Sequence, residues 1–163
     1  MCSQAALDIL SGILDQEAGS LVRYLQEAAQ LRLARQGDAE AQAVLEELYS
    51  ESCLDMCAIA ALLGEHVAVF PNVVWEMGYS RFNFLRPVFL IEPVLESTRE
   101  HIENLVRLTD ALCEEGWEEA QQAAERLIER KSAALGRVEA LASSLGETES
   151  EPPRRNGTSA SRW

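Results

Sequence analysis

No proline occurs before position 71, and the whole chain has five, at 71, 87, 93, 152 and 153. A helix tolerates proline only in its first turn, so long proline-free stretches leave room for long helices. Ala, Leu, Glu, Gln and Arg fill those stretches, and all are good helix formers. The spacing of the apolar residues then says how the helices pack.

From about 4 to 36, Leu7, Leu10, Leu14, Leu21, Tyr24, Ala28 and Leu31 recur at gaps of three, four and seven. That is one stripe on one helix. Gly37-Asp38 ends it, and Asp38 suits an N-cap for the next. A second helix over about 39–69 carries two adjacent stripes. One is Leu45, Leu48, Ile59, Leu62 and Val69; the other is Tyr49, Cys53, Met56, Ala60, Leu63 and Val67. Two stripes give a wide buried face. Gly64 weakens its last turns by roughly 1 kcal/mol against Ala.

Residues 70–84 hold five of the ten aromatic residues, so this connector is expected to pack down on the helices rather than hang in solvent. A third helix follows from about Pro87 to 114, with the stripe Leu85, Val88, Leu95, Ile102 and Val106. Pro87 fits a first turn. Pro93 must either kink this helix or mark its true start. Glu115-Gly116 ends it. The fourth helix, about 117–146, carries Trp117, Ala124, Leu127, Ala134, Val138, Leu141 and Leu145, and Gly146 is expected to cap it. Residues 147–163 have almost no apolar content and read as a disordered tail. Its Trp163 reads as a stray residue rather than a docking handle.

The links fix the topology. The first and last are a few residues long and imply antiparallel hairpins. The middle link, about 15 residues, can extend to ~50 Å. A 30-residue helix is ~45 Å long. One crossover between two hairpins fits, and the expected fold is an all-α four-helix bundle over 1–146.

Charge narrows the function. Asp and Glu number 27 against 14 Lys and Arg, a net charge of -13. This excludes a typical nucleic-acid binder, which needs a basic patch. No apolar run reaches the ~20 residues of a membrane span. The first residues lack a basic signal segment, so a cytoplasmic location is expected. The four cysteines, at 2, 53, 57 and 113, form no CxxC pair. There is no Gly-rich phosphate loop, no GxSxG and no Cys/His pair at motif spacing.

Leu7-Asp8-Ile9-Leu10 leading to Glu17 and Tyr24, and Phe84-Leu85-Arg86-Pro87 leading to Glu92 and Ile102, are similar to patterns of the ferritin-like superfamily. With the two long hairpins, the crossover and inward mid-helix acids, the resemblance covers about residues 4–146. It implies a di-iron centre built from a Glu on each of two helices and a Glu-x-x-His on each of the other two. Glu17 interrupts the stripe between Leu14 and Leu21, and Glu92 the stripe between Val88 and Leu95, so both are expected inside. Neither Glu-x-x-His survives. The only histidines are His66 and His101, preceded at three residues by Leu63 and Thr98, and both are expected at the surface or rim. The matching windows hold Asp55 on the second helix and Glu129 or Lys131 on the fourth.

Lys131 continues the stripe Ala124, Leu127, Ala134, Val138. Facing inward it would repel a metal and neutralise Glu17 or Glu92; alternatively its stem lets the ammonium reach water. Cys53, Met56 and Cys57 share a face that could bind Cu(I), though packing is the preferred reading. The sequence thus predicts a ferritin-like bundle with a decayed metal site and no cofactor, acting as a non-catalytic structural or interaction module. Its partner would be another protein or a second copy in a dimer. A di-iron oxidase or ferroxidase with unusual ligands, and a copper-binding bundle, are the alternatives.

Overall fold

The computed structural model describes residues 2–33, 35–69 and 71–150, with Gln36 and residues 146–150 as main chain only. Among the described residues every regular element is helical: α1 (Gln4–Ala18), α2 (Leu21–Glu27), α3 (Gln36–Gly64), α4 (Ile91–Glu115) and α5 (Glu118–Ser150), with 3-10 turns at Met77–Phe82 and Pro87–Leu90. None of these helices is long and apolar enough to cross a membrane. The tail expected at 147–163 lies largely outside the described residues. Its first four residues continue α5, so Gly146 does not cap that helix.

The first expected helix is two. Ser3 caps α1, its hydroxyl accepting the Ala6 N–H at 3.0 Å. Gly19 is the C-cap of α1 and Ser20 the N-cap of α2, and only a residue without a side chain fits at 19: a Cβ there would lie 2.7 Å from the carbonyl oxygen of Val74. The 65–90 link therefore runs against the main chain of the break. It is fastened there by the Asn72 N–H, which donates to Asp15 Oδ1 at 2.8 Å. Trp75 and Tyr79 each pack a ring 5.5 Å from Tyr24, and the Tyr24 hydroxyl reaches Asn83 Oδ1 at 3.2 Å. The helical path ends at Glu27, and Gln30 and Arg32 pair with the link instead. The Phe84 N–H donates to Gln30 O at 2.7 Å and the Arg32 N–H to Leu85 O at 3.1 Å.

Asp38 is not the N-cap of α3. Arg35 is, and Asp38 sits three residues on, its Oδ2 accepting the Arg35 N–H at 2.8 Å. Arg86 adds its Nε to both Asp38 oxygens, at 2.9 and 3.1 Å. Pro93 falls in the first turn of α4, where no helical N–H bond is lost. The inward stripe of α4 is Val94, Leu95, His101, Leu105, Thr109 and Leu112, so Val106 faces out and is 43% exposed.

The core has two clusters. One joins Leu21 and Leu25 of α2, Leu45 and Leu48 of α3, Val94 and Leu95 of α4, and Ala134 and Val138 of α5. The other joins Leu10 and Leu14 of α1, Ile59 and Leu63 of α3, Leu105 and Leu112 of α4, and Ala124 and Leu127 of α5. The chain therefore runs from the second cluster to the first along α1–α2 and along α5. It runs the opposite way along α3 and α4. Both α1 and α5 pack on α3 and on α4.

Candidate functional site

Between the two clusters each helical arm places polar residues on its inward face. They are Glu17 on α1, Ser52 and Asp55 on α3, His101 on α4 and Lys131 on α5. The helical spacing explains the placement. Glu17 falls between Leu14 and Leu21, Ser52 and Asp55 between Leu48 and Ile59, His101 between Leu95 and Leu105, and Lys131 between Leu127 and Ala134.

Glu17 is 0% exposed. Lys131 Nζ and His101 Nε2 both lie 2.9 Å from its Oε1. Both are close contacts without hydrogen-bond angles. Ser52 Oγ donates to Oε2 at 3.1 Å. Burial alone would raise this carboxyl. The Lys131 ammonium and the His101 imidazole overcome that and hold it at about 2. Glu17 lies in the last turn of α1, the negative end of the helix dipole. No basic residue of α1 compensates that end; the Lys131 ammonium of α5 does so, with the His101 imidazole of α4 beside it.

Asp55 is almost fully buried and pairs with Arg130, which remains half in solvent. Burial pushes the Asp55 carboxyl up, against the pull of Arg130 and Lys131. A cavity of about 40 Å3, lined in part by Ser52, Asp55, His101 and Lys131, adjoins the layer. It is roughly the volume of one water molecule.

The expected site residues divide. Glu17, Asp55 and Lys131 are brought to this layer. Glu92 and Glu129 are exposed. Val88 belongs to a 3-10 turn, so the α-helical spacing does not carry from Val88 to Glu92. Glu129 is two residues from Leu127, about 200° around α5 and so on the outer face. His101 is buried rather than at the rim, while His66 is exposed with its ring 5.1 Å from Trp117. The sequence carries a signal for His101: it lies seven residues after Val94 and four before Leu105. Cys57 is exposed and Cys53 and Met56 are half-buried. Arg23 Nη1 lies 3.5 Å from Cys53 Sγ and 3.0 Å from Met56 Sδ, a cation where a Cu(I) ion would need to approach.

The layer does not fit two iron ions. Such a centre needs carboxylates from all four arms. Here Lys131 stands against the Glu17 carboxylate, Arg130 against Asp55, and α4 offers His101 alone. Among the described residues no three His, Cys, Asp or Glu side chains converge on a point that could hold a metal ion. An ionised Glu17 also has no proton to donate as a general acid.

No protein-family model matches the chain, and neither a curated protein nor a solved structure matches it.

Proposed function

We propose that the chain is a ferritin-like four-helix bundle, two antiparallel hairpins joined by one crossover, in which an ion-pair layer stands in place of the di-iron centre. It serves as a non-catalytic structural or interaction module of the cytoplasm, engaging a protein partner or a second copy of itself. The polar layer to which all four arms contribute, between the two core clusters, and the 65–90 link between α3 and α4 support this reading. The observation that carries it is the Lys131 ammonium 2.9 Å from Glu17 Oε1, a tethered cation in the position of a metal.

Metal analysis tests it. Protein incubated with Fe(II) or Cu(I), then desalted, is expected to retain neither stoichiometrically, and its Tm is expected to stay within a degree or so. A ligand at 100 times its Kd would add about 2.7 kcal/mol. Iron near two per chain with a rise of many degrees would establish the oxidase or ferroxidase reading instead, and stoichiometric copper the soft-metal one.

A further inference from the structure

An open cleft of about 410 Å3 lies on the side of the molecule between the α1–α2 break, the 65–90 link and α4. Leu21, Tyr79 and Phe82 form apolar parts of its wall. Four carboxylates line it, Asp15 from α1, Glu76 from the link, and Glu96 and Glu100 from α4, against one arginine, Arg81. Burial pushes the Tyr79 phenol up, and Glu76 and Glu100 push it further, so acids from both walls face that hydroxyl. Ser20 Oγ, a buried hydroxyl with no hydrogen-bond partner among the described residues, also lines the cleft. A fitting occupant is cationic, carries hydrogen-bonding groups and has an apolar portion.

The chain contains such a segment. Residues 151–163, outside the described residues, carry Arg154, Arg155 and Arg162 against the single acid Glu151, and include Trp163. They are a basic stretch in a chain of net charge -13. The geometry allows the reach. His101 lines the cleft and stands level with Lys131 through Glu17. From Lys131 to Ser150 is about 29 Å along α5 at 1.5 Å per residue. Thirteen residues extend to about 45 Å.

We propose that this acidic cleft is the docking site of the far end of the chain's own segment 151–163, with Arg162 among the Glu76, Glu96 and Glu100 carboxylates, Trp163 against the apolar wall, and Arg154 and Arg155 in the extended stretch that leads there. Arginine forks match carboxylates in geometry as well as charge. Exposed pairs are individually weak. Tethering raises the segment's local concentration to the millimolar range, so weak pairs suffice. The proposal gives Trp163 the docking role that sequence alone did not favour, and it does not depend on the absence of a metal.

The full-length chain labelled with 5-fluorotryptophan gives one 19F resonance for each of its three tryptophans. Trp163→Phe assigns the third. The Trp163 resonance is expected away from its position in the free 151–163 peptide. Glu96→Gln/Glu100→Gln, or about 1 M NaCl, which shortens the screening length to about 3 Å, should return it toward that position. The Trp75 and Trp117 resonances report that the fold is unchanged. Trypsin cleavage after Arg162 should accelerate roughly tenfold in the double variant, as for a loss of about 1.4 kcal/mol of docking. A Trp163 resonance at the free-peptide position in the parent would overturn the proposal. So would a displaced resonance that ignores both the variant and salt. A displacement that grows with protein concentration would mean another copy's cleft and would also overturn it.

Discussion

Among the described residues two carboxylates are completely buried, Asp38 and Glu17, and each is held by a cation from a distant part of the chain. Their settings are opposite. Asp38 sits in the first turn of α3, where the helix itself presents unpaired N–H groups and positive potential. It takes a main-chain N–H from Arg35 and both of its oxygens face Arg86 Nε. Glu17 sits in the last turn of α1, where the helix presents carbonyls and negative potential. It needs Lys131 and His101 together, and Ser52 besides. Asp38 is a helix start that also fastens the link. The charge of Glu17 depends on side chains from three other helices.

The sharpest way to break this contrast is to remove the tethered cation. Lys131→Ala leaves the Glu17 carboxylate at an unfavourable helix end, and the expected loss is about 3–5 kcal/mol in denaturant melts, as for a broken buried pair. Glu17→Gln/Lys131→Met removes both charges and should recover to within about 1 kcal/mol of the parent. Additive effects across the cycle would mean that no coupled pair exists and that Glu17 does not differ from Asp38 as described.

Acid tests the same carboxylate from the other side. The Glu17 carboxyl is held at about 2 against an ordinary 4.5. Between those values the unfolded chain binds more protons than the folded one. Stability from this group is therefore full above about pH 4.5 and falls as the pH drops toward 2, by roughly 3 kcal/mol. Asp55 works against it: its raised carboxyl favours the folded state as the pH falls. Urea melts from pH 5 to 2.5 should show a flatter acid limb in Glu17→Gln than in the parent. An unchanged limb would assign the acid sensitivity elsewhere.

Arg86→Ala is expected to cost less than Lys131→Ala, about 1.5–3 kcal/mol for a charged hydrogen bond. The Arg35 N–H and the start of α3 continue to hold Asp38. A loss as large as that of Lys131→Ala would erase the distinction between the two sites.

The helical composition and the apolar spacing of α1, α3 and α5 are legible in the sequence because their stripes follow one period. So are the inward positions of Glu17 and Lys131, each set between apolar residues at three- and four-residue gaps. The breaks were not legible. Gly19-Ser20, the C-cap of α1 and N-cap of α2, is a local signal that the continuous apolar stripe across it masks, while the approach of Val74 that requires a glycine there is a tertiary contact. The error at the start of α4 has a different cause. A 3-10 turn advances about 120° per residue and an α-helix about 100°. A stripe traced through Pro87–Leu90 therefore lands on the exposed Glu92; farther on it follows Leu95 at the margin of the buried face to Val106, whereas the line of that face runs through Val94, His101 and Leu105. His101 escaped for that reason, although its partner Glu17 was already in view.

The polar layer also bears on how the helices are aligned along their length. An apolar helix face can slip one turn, 5.4 Å, against its neighbours and still meet apolar residues. Here such a slip of α5 would carry Lys131 away and set Leu127 or Leu135 near the level of Glu17, leaving a buried charge without its cation. The same holds for a slip of α4, which would withdraw His101. The charged layer thus acts as a key for axial register, penalising every alignment but one.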